Sequence, residues 1–188
     1  YEKSFAQLYD FVDYFVVNVS CPNVKGLTKL QDITSLSEIV DKLTLLRKYY
    51  DDYRPILLKV SPDLSNEQLD EIIELILVSG LDGIVATNTT ISRDNLLNER
   101  DKVEGIGEGG LSGAPLFNRS LEMVRYINKK TGGQLPIIGV GGIITPVQAK
   151  EMLDAGASLV QIYTGFIYNG PGFVKQILKY LNKQKPKC

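Results

Sequence analysis

The stretch from Pro136 to Gly165, PIIGVGGIITPVQAKEMLDAGASLVQIYTG, decides the fold. It opens with an apolar, β-branched run, PIIGVGG, and closes with a second one, LVQIYTG, and each run is too short for a buried helix. Between the two runs, Thr145 and Pro146 form a helix start, and Gly156 suits the end of that helix. A strand, a helix and a second strand in this order predict two parallel strands with the helix packed outside them.

Three further runs of the same kind precede this unit. Each is short, apolar and bounded by Pro, Gly or polar residues, which is typical of a strand that is buried on both faces. The three runs are YFVVNVS (14–20), PILLKVS (55–61) and GIVATN (83–88). The chain is therefore predicted to contain five strands of one parallel sheet.

Helical patterns separate these strands. Ser35 with Glu38 matches the capping box of a helix start, and so does Ser65 with Gln68. Gly80 suits the end of the second of these helices, because glycine readily adopts the left-handed conformation found there. Further helices are predicted from Ser120 to Lys130 and from Pro171 onward.

Strand–helix alternation leaves two architectures, a doubly wound open sheet and a (β/α)8 barrel. A barrel builds its site from the C-terminal ends of many strands, whereas an open sheet concentrates its site at one switch point. Polar residues and glycines follow every predicted strand, at Asn18–Asn23, Lys59, Thr87–Thr90, Gly139–Gly142 and Tyr163–Gly165. We therefore predict a barrel.

About five of its eight strands are present, so residues 1–188 are expected to form one domain, the C-terminal portion of a barrel whose N-terminal strands are absent from this chain.

Composition excludes several classes of function. The formal net charge of -1 gives no electrostatic reason to expect nucleic acid, and no apolar run reaches the 18 residues or so that a membrane span needs. With two cysteines and no histidine, neither a metal site nor a disulfide framework is predicted, and a reducing cytoplasmic setting is the default. Proton transfer would depend on Cys, Ser, Lys, Tyr or a carboxylate.

Glycines near the last two strands favour a phosphate site. Gly141 and Gly142 let the backbone approach a ligand closely and point consecutive N–H groups at it. Tyr163 and Thr164 offer a second cluster of N–H groups, and barrels often hold phosphate after strands seven and eight. The alternative is that these glycines only close tight turns.

Two other features point to a cofactor. The glycine-rich loop EGIGEGGLSGAPL (104–116) places Ser112 and Gly113 where they could reach a ligand. Lys59 lies in an otherwise apolar strand, where a lysine is costly unless it is paired. A structural salt bridge and a cation beside a flavin are the two interpretations of Lys59.

Amide, hydroxyl and thiol groups end the first and third strands. Asn88, between Thr87 and Thr89, suits a planar ligand with carbonyl and N–H edges, although it could also simply cap the following turn. Asn18, Ser20 and Asn23 could likewise hold a polar heterocycle.

Cys21 carries the one readily ionisable side chain of the first of these loops, with a free pKa near 8.5. A buried structural thiol is the alternative. A position between Ser20 and Pro22 in a polar loop is poorly suited to a core residue, so we predict that Cys21 is catalytic.

Six blocks of the sequence resemble the dihydroorotate dehydrogenase family, in the same order. They are NVSCPNVKGL, LLKVSPDLS, GIVATNTT, GGLSGAPL, IIGVGGI and GASLVQIYTGF. The resemblance extends from about Asp13 to Gly172. It implies a (β/α)8 barrel that binds FMN and oxidises dihydroorotate to orotate in pyrimidine biosynthesis.

The resemblance also implies roles for individual residues. Together with Ser112 and Gly141 from the glycine loops, the expected FMN-binding residues are Asn18, Lys59, Thr87, Gly113, Gly142, Tyr163 and Thr164. The expected substrate-binding residues are Asn18, Asn23, Asn88 and Thr89. Cys21 falls on the catalytic base, which takes a proton from substrate C5 while hydride leaves C6 for flavin N5. FMN then passes electrons to a second acceptor.

The identity of that acceptor depends on the class within the family. The blocks TNTT, GLSGAP and VQIYTG are similar to class 2, which is membrane-associated and reduces quinone. Class 2 has a serine base followed by Pro-Asn-Thr, whereas here Cys21 is followed by Pro22, Asn23 and Val24, the class 1 pattern of soluble enzymes that use fumarate or NAD. In class 2, the threonine belongs to the hydrogen-bonded route by which the serine base loses its proton. A thiol ionises far more easily than a serine hydroxyl, so the replacement of both residues together is chemically coherent. Quinone is the favoured acceptor.

This interpretation places the full-length protein in the cytoplasm, peripheral on the inner face of the cell membrane. Three alternatives remain open at this point: the same reaction with fumarate or NAD, a non-redox barrel that binds a phosphorylated ligand, and a chain that by itself binds neither FMN nor substrate. The oligomeric state is not predicted.

Overall fold

The computed structural model describes residues 1–20, 33–94, 96–97 and 99–184. In this part of the chain, five parallel strands form one sheet: β1 (Phe15–Asn18), β2 (Ile56–Val60), β3 (Gly83–Ala86), β4 (Ile137–Val140) and β5 (Leu159–Gln161). Their spatial order is β1-β2-β3-β4-β5, the same as their order in the chain. A doubly wound sheet would reverse its order at a switch point. The predicted strands and the barrel type of winding are therefore confirmed.

Helices follow each strand, one more precedes the first strand, and the main apolar core lies between helices and one face of the sheet. They are α1 (Glu2–Leu8), α2 (Ile33–Arg47), α3 (Asn66–Ser79), α4 (Arg100–Gly105), α5 (Phe117–Lys130), α6 (Pro146–Asp154), α7 (Thr164–Asn169) and α8 (Phe173–Gln184). Two short 3-10 turns, Tyr9–Phe11 and Ala114–Leu116, complete the described regular structure. Within the described residues, none of these helices is both long and apolar enough to cross a membrane.

Two of the predicted helix starts are confirmed. At the start of α3, Ser65 accepts a hydrogen bond from the Gln68 N–H, and the Gln68 side chain accepts one from the Ser65 N–H. Thr145 forms the same reciprocal pair with Gln148 at the start of α6. Gly80, which follows α3, has a φ of 79° and ends that helix as predicted.

Other predicted boundaries are wrong. Ser35 lies inside α2, which already includes Ile33, so Ser35 with Glu38 is not a capping box. Helix α5 begins at Phe117 rather than at Ser120, because the 3-10 turn leads directly into it. The last helix starts at Phe173, two residues after the predicted Pro171.

The two faces of the sheet carry separate apolar clusters. Ile56 and Leu58 of β2 are buried under the helices in the main core. Leu57 points the opposite way and packs with Val85 and Ile138 in a small second cluster. Successive side chains of a strand alternate between faces, so Lys59 shares the face of Leu57. This alternation places the lysine on the face away from the helices, at the C-terminal end of β2.

Candidate functional site

A cavity of about 470 Å³ lies at the C-terminal ends of the strands. This volume falls within the range of roughly 300–1,000 Å³ that is usual for small-molecule and cofactor sites. The strand register contributes to the site, since Asn18 pairs with Lys59 across β1 and β2, and Lys59 pairs with Val85 across β2 and β3. The fold thus brings the polar residues that follow the strands to one place, as parallel strands require.

Most of the predicted site residues line this cavity. They are Lys59, Thr87, Asn88, Thr89, Ser112, Gly113, Gly141, Gly142, Tyr163 and Thr164. Asn18 adjoins them through its side chain, which accepts a hydrogen bond from Asn88. Cys21 and Asn23 lie outside the described residues.

Asn88 is held in place by the end of β1. Its side-chain amide donates to Asn18 Oδ1 at 3.1 Å and to Ser20 Oγ at 3.0 Å, and its Oδ1 accepts from the Thr89 N–H at 2.8 Å. Ser20 is buried, and its hydroxyl donates to the Lys59 carbonyl at 3.0 Å. The hypothesis that Ser20 contacts a ligand stays a prediction, and in the structure its hydroxyl oxygen accepts from Asn88 and orients that side chain.

Thr87 lines the cavity and contacts helix α5 through its hydroxyl. It is buried, and its Oγ1 is 2.8 Å from the hydroxyl oxygen of Ser120, which is itself fully buried. Its N–H donates to the Val140 carbonyl at 2.7 Å. The Ser120 hydroxyl therefore fixes the orientation of the Thr87 side chain. Ser120 was not predicted as a site residue, because a serine at a predicted helix start resembles an ordinary N-cap.

The glycines after β4 meet two structural demands. Gly141 and Gly142 have positive φ values of 129° and 68°, which disfavour any residue with a Cβ. A Cβ on Gly141 would also lie 2.2 Å from Ser120 Oγ, and one on Gly142 would lie 2.5 Å from the Phe117 backbone nitrogen. Both glycines are thus required for packing against α5, while their backbones line the cavity.

The glycine-rich loop and the start of α7 meet on the other side of the cavity. Ser112 Oγ lies 3.0 Å from Thr164 Oγ1. Gly113 has a φ of 91°, and a Cβ there would lie 3.2 Å from the Thr164 side chain. Tyr163, by contrast, is 76% exposed. The glycine-rich loop therefore contacts the start of α7 on this side of the cavity.

The electrostatics of the cavity favour an anion. Lys59 is the only charged side chain among the described residues that line it, and none of these residues is acidic. Hydroxyls, amides and glycine backbone supply the remaining polar surface.

Within the described part of the chain, no cluster of three or more His, Cys, Asp or Glu side chains could hold a metal ion.

Some lining residues were not found from the sequence. Val140, Gln161 and Ile162 contribute to the cavity wall. Gln161 interrupts the apolar run of β5, so a polar side chain within an otherwise apolar strand was the signal that could have identified it.

Comparison with protein families gives one clear match. The model of the family described as dihydroorotate dehydrogenase matches residues 1–184. A curated relative from Christiangramia forsetii, named dihydroorotate dehydrogenase (quinone), is 49% identical over 177 residues, which cover 94% of this chain and 51% of the relative. A relative of the same name from Trichodesmium erythraeum is 50% identical over 188 residues and is covered to 49% of its length. The chain thus spans about half the length of the curated relatives it matches.

Solved structures give the same result. The crystal structure of the Eimeria tenella enzyme DHODH in complex with ferulenol superposes with a TM-score of 0.87 at 34% identity, covering 97% of this chain and 53% of that one. The ligand-free form of that enzyme gives the same TM-score.

Proposed function

The chain belongs to the dihydroorotate dehydrogenase family, and from this premise we propose that the protein oxidises dihydroorotate to orotate, with FMN as its cofactor and a quinone as the final electron acceptor. The observation that carries the proposal is the cavity at the strand ends, which joins a glycine-rich side to an amide-rich side and is also lined by Lys59.

The cavity fits FMN in size and in chemistry. Its single described charge is the ammonium of Lys59, which suits a ligand that carries a phosphate and gains negative charge on reduction. In this proposal the backbone of Gly113, Gly141 and Gly142 and the hydroxyl of Thr164 hold the phosphate, and Thr87 and Lys59 contact the ring. When bound, FMN supplies a hydride acceptor, which no side chain of the protein can provide.

The amide-rich side fits the substrate. Dihydroorotate is a ring of carbonyl and N–H groups with one carboxylate, so its recognition needs paired donors and acceptors. Asn18 and Asn88 are already oriented by their mutual hydrogen bond and by Ser20, which lowers the entropic cost of binding. We propose that these two residues, with Thr89 and Asn23, bind the substrate ring and carboxylate.

A base is also required, because the reaction removes a proton from C5 and a hydride from C6. The chain contains no histidine, so the role falls to a residue of another type. We propose the thiolate of Cys21, which directly follows the described Ser20 at the amide-rich side. Lys59, on the adjacent strand, would favour both the thiolate and the negative charge that develops on the ring.

A quinone is the proposed acceptor because the curated relatives at 46–50% identity carry that acceptor in their names. Quinones are dissolved in the membrane, so we propose that the full-length protein works as a peripheral protein at the inner face of the cell membrane. The class 1 pattern at Cys21 favours fumarate or NAD instead, and this alternative is settled by the same experiment.

The test uses the full-length protein, purified with its cofactor. Flavin absorbance should be present, should bleach when dihydroorotate is added without oxygen, and should return on addition of a quinone but not of fumarate or NAD. A colourless preparation, or a flavin that dihydroorotate does not reduce, would contradict the proposed reaction. Recovery with fumarate or NAD alone would contradict only the proposed acceptor.

A further inference from the structure

One backbone contact joins the substrate side of the cavity to the cofactor side. Thr90 and Leu111 form an isolated antiparallel bridge, in which the Thr90 N–H donates to the Leu111 carbonyl at 3.1 Å and the Leu111 N–H donates to the Thr90 carbonyl at 2.7 Å. Thr90 directly follows Asn88 and Thr89, and Leu111 directly precedes Ser112. The position of Thr90 therefore affects residues on both sides of the cavity.

Asp63, from the loop after β2, holds Thr90 in place. Its carboxylate accepts a hydrogen bond from the Thr90 hydroxyl and one from the Ile91 N–H at 3.0 Å. The Asp63 N–H donates to Ser61 Oγ at 3.2 Å, which fixes the turn that presents the carboxylate. Asp63 does not line the cavity, so it acts on a ligand only through Thr90 and Ile91.

Helix α5 anchors the loop that carries Asp63. The Arg119 side chain donates from Nε to the Pro62 carbonyl at 2.9 Å and from Nη2 to the Leu64 carbonyl at 2.8 Å. These two carbonyls flank Asp63 on either side. The carboxylate is thus held by a rigid element of the barrel rather than by a free loop, which is what a positioning group requires.

We propose that Asp63 is a positioning residue for substrate binding, which holds Asn88 and Thr89 in their binding geometry through Thr90, the residue that also forms the bridge to Leu111. This inference rests on the proposed function, because it takes Asn88 and Thr89 as the substrate ligands. Hydrogen bonds to a carboxylate are roughly twice as strong as bonds between neutral groups, so two of them at the base of one loop fix that loop effectively. Without them, Asn88 keeps its bonds to Asn18 and Ser20 but loses the constraint on its C-terminal side.

The test compares Asp63→Ala, Asp63→Asn and Asp70→Ala in the full-length, FMN-loaded enzyme. Asp70, on helix α3, is a matched control because its carboxylate also accepts two hydrogen bonds, here from the Tyr126 and Lys130 side chains, but lies outside the cavity lining. The dissociation constant of orotate is measured by the change in flavin absorbance. Asp63→Ala should raise it about 10-fold, Asp63→Asn should raise it less because its one amide oxygen still accepts, and Asp70→Ala should leave it unchanged.

Thr90→Val tests the proposed route. It keeps the shape of the side chain but removes the hydroxyl, which donates to Asp63 and accepts from the Ser92 N–H at 3.0 Å, so it should also weaken orotate binding. In the double variant with Asp63→Ala, the combined effect should be smaller than the product of the two single effects, because both remove the same bond. Multiplicative effects, or an Asp63→Ala constant within about twofold of wild type, would overturn the proposal. If Asp63→Ala does not fold, Asp63→Asn and Thr90→Val still decide the matter.

A ligand-free measurement separates this proposal from the proposed function. Amide hydrogen exchange at Ile91 and Ser92 should become faster in Asp63→Ala and not in Asp70→Ala. If wild-type enzyme does not bind orotate, the proposed function fails, whatever the exchange data show. If wild type binds orotate and Asp63→Ala changes neither the exchange nor the affinity, only the positioning role fails.

Discussion

The two edges of the sheet use their polar groups differently. At the C-terminal edge, Lys59, Asn88 and Thr164 line a cavity whose polar surface can meet a ligand. At the N-terminal edge, Asp82 and Arg47 lie 2.5 Å apart with side chains only 23% and 11% exposed. The same sheet therefore carries a candidate site at one edge and a closed ion pair at the other.

The N-terminal edge satisfies its charges within the protein. The Asp82 carboxylate accepts from Arg47, from the Tyr53 hydroxyl and from the Ile56 N–H at the start of β2. Arg47 also donates to the Gly80 carbonyl and lies over the Tyr53 ring. Burial and the hydrogen bond to Asp82 raise the pKa of Tyr53. These bonds connect the end of α2 with the segments that lead into β2 and β3, which indicates a role in stability, as expected at the N-terminal face of a barrel.

This difference predicts that substitutions at the C-terminal edge change chemistry or binding, whereas those at the N-terminal edge change the free energy of unfolding. The largest effect is expected for Cys21→Ala. It should slow reduction of bound FMN by dihydroorotate by about 10²–10⁴-fold, the usual contribution of a general base, with FMN still bound. Rapid-mixing absorbance measures the rate.

The other cysteine of the chain supplies the control for this experiment. Cys188→Ala should reduce its flavin at the wild-type rate, because a thiol in the polar C-terminal tail takes no part in the proposed chemistry. Cys21→Ser should keep partial activity with a more alkaline pH profile, since a serine ionises at much higher pH. An unchanged rate in Cys21→Ala would remove this residue from catalysis.

The next effect concerns the opposite edge. Asp82→Ala leaves the largely buried Arg47 without its carboxylate, and should lower the free energy of unfolding by about 2 kcal/mol, less than for a fully buried pair because Asp82 is partly exposed. Urea unfolding measures this loss, and the rate of flavin reduction in the folded protein should not change. Tyr53→Phe, which removes only one partner, should cost less. Slower flavin reduction in Asp82→Ala would contradict the separation of the two edges.

A smaller effect should appear where stability and binding meet. Ser120 contacts Thr87 through its hydroxyl and packs closely against Gly141. Ser120→Ala removes the hydroxyl, so it should cost about 1 kcal/mol of stability and should weaken FMN binding a few-fold. Ser79→Ala is the matched control, since the buried hydroxyl of Ser79 on α3 has no hydrogen-bond partner among the described residues. Its replacement should be neutral. Equal losses in both variants would show that Ser120 contributes only to packing.

The sequence predicts the strands and the clustering at their ends because both follow from local patterns. Each β-branched run ends at a glycine or a polar residue, and parallel strands bring such ends together, as Asn18 and Asn88 demonstrate across 70 positions. Helices α1, α4 and α7 escaped prediction because they are seven, six and six residues long and have no side-chain cap at their start. Helix length and capping are the signals on which sequence-based detection depends.

The supporting groups could not be predicted for a different reason. Asp63 and Thr90 are 27 residues apart, and Thr87 and Ser120 are 33 apart, in segments whose approach depends on the shape of the connecting loops. In the sequence, an aspartate after SP and a serine near a helix start resemble ordinary turn and cap residues. Only the folded chain reveals that they support the residues that line the cavity.

The smallest effect involves neither edge of the sheet. On the outer helices, the hydrogen bond from Lys130, and to a smaller extent the one from Tyr126, lowers the pKa of Asp70 from its ordinary value of 3.8. A lowered pKa in the folded state means that this carboxylate stabilises the protein above about pH 4, and that the contribution is lost as the pH falls through the folded-state value. Asp70→Asn should therefore shift the urea midpoint slightly at pH 7 and should not shift it well below pH 3.8. Because the side chains of Asp70 and Lys130 are 34% and 49% exposed, added salt should reduce the shift at pH 7. A shift that persists at low pH would assign the stabilisation to packing and not to charge, and a change in orotate binding would end the use of Asp70 as a control for Asp63.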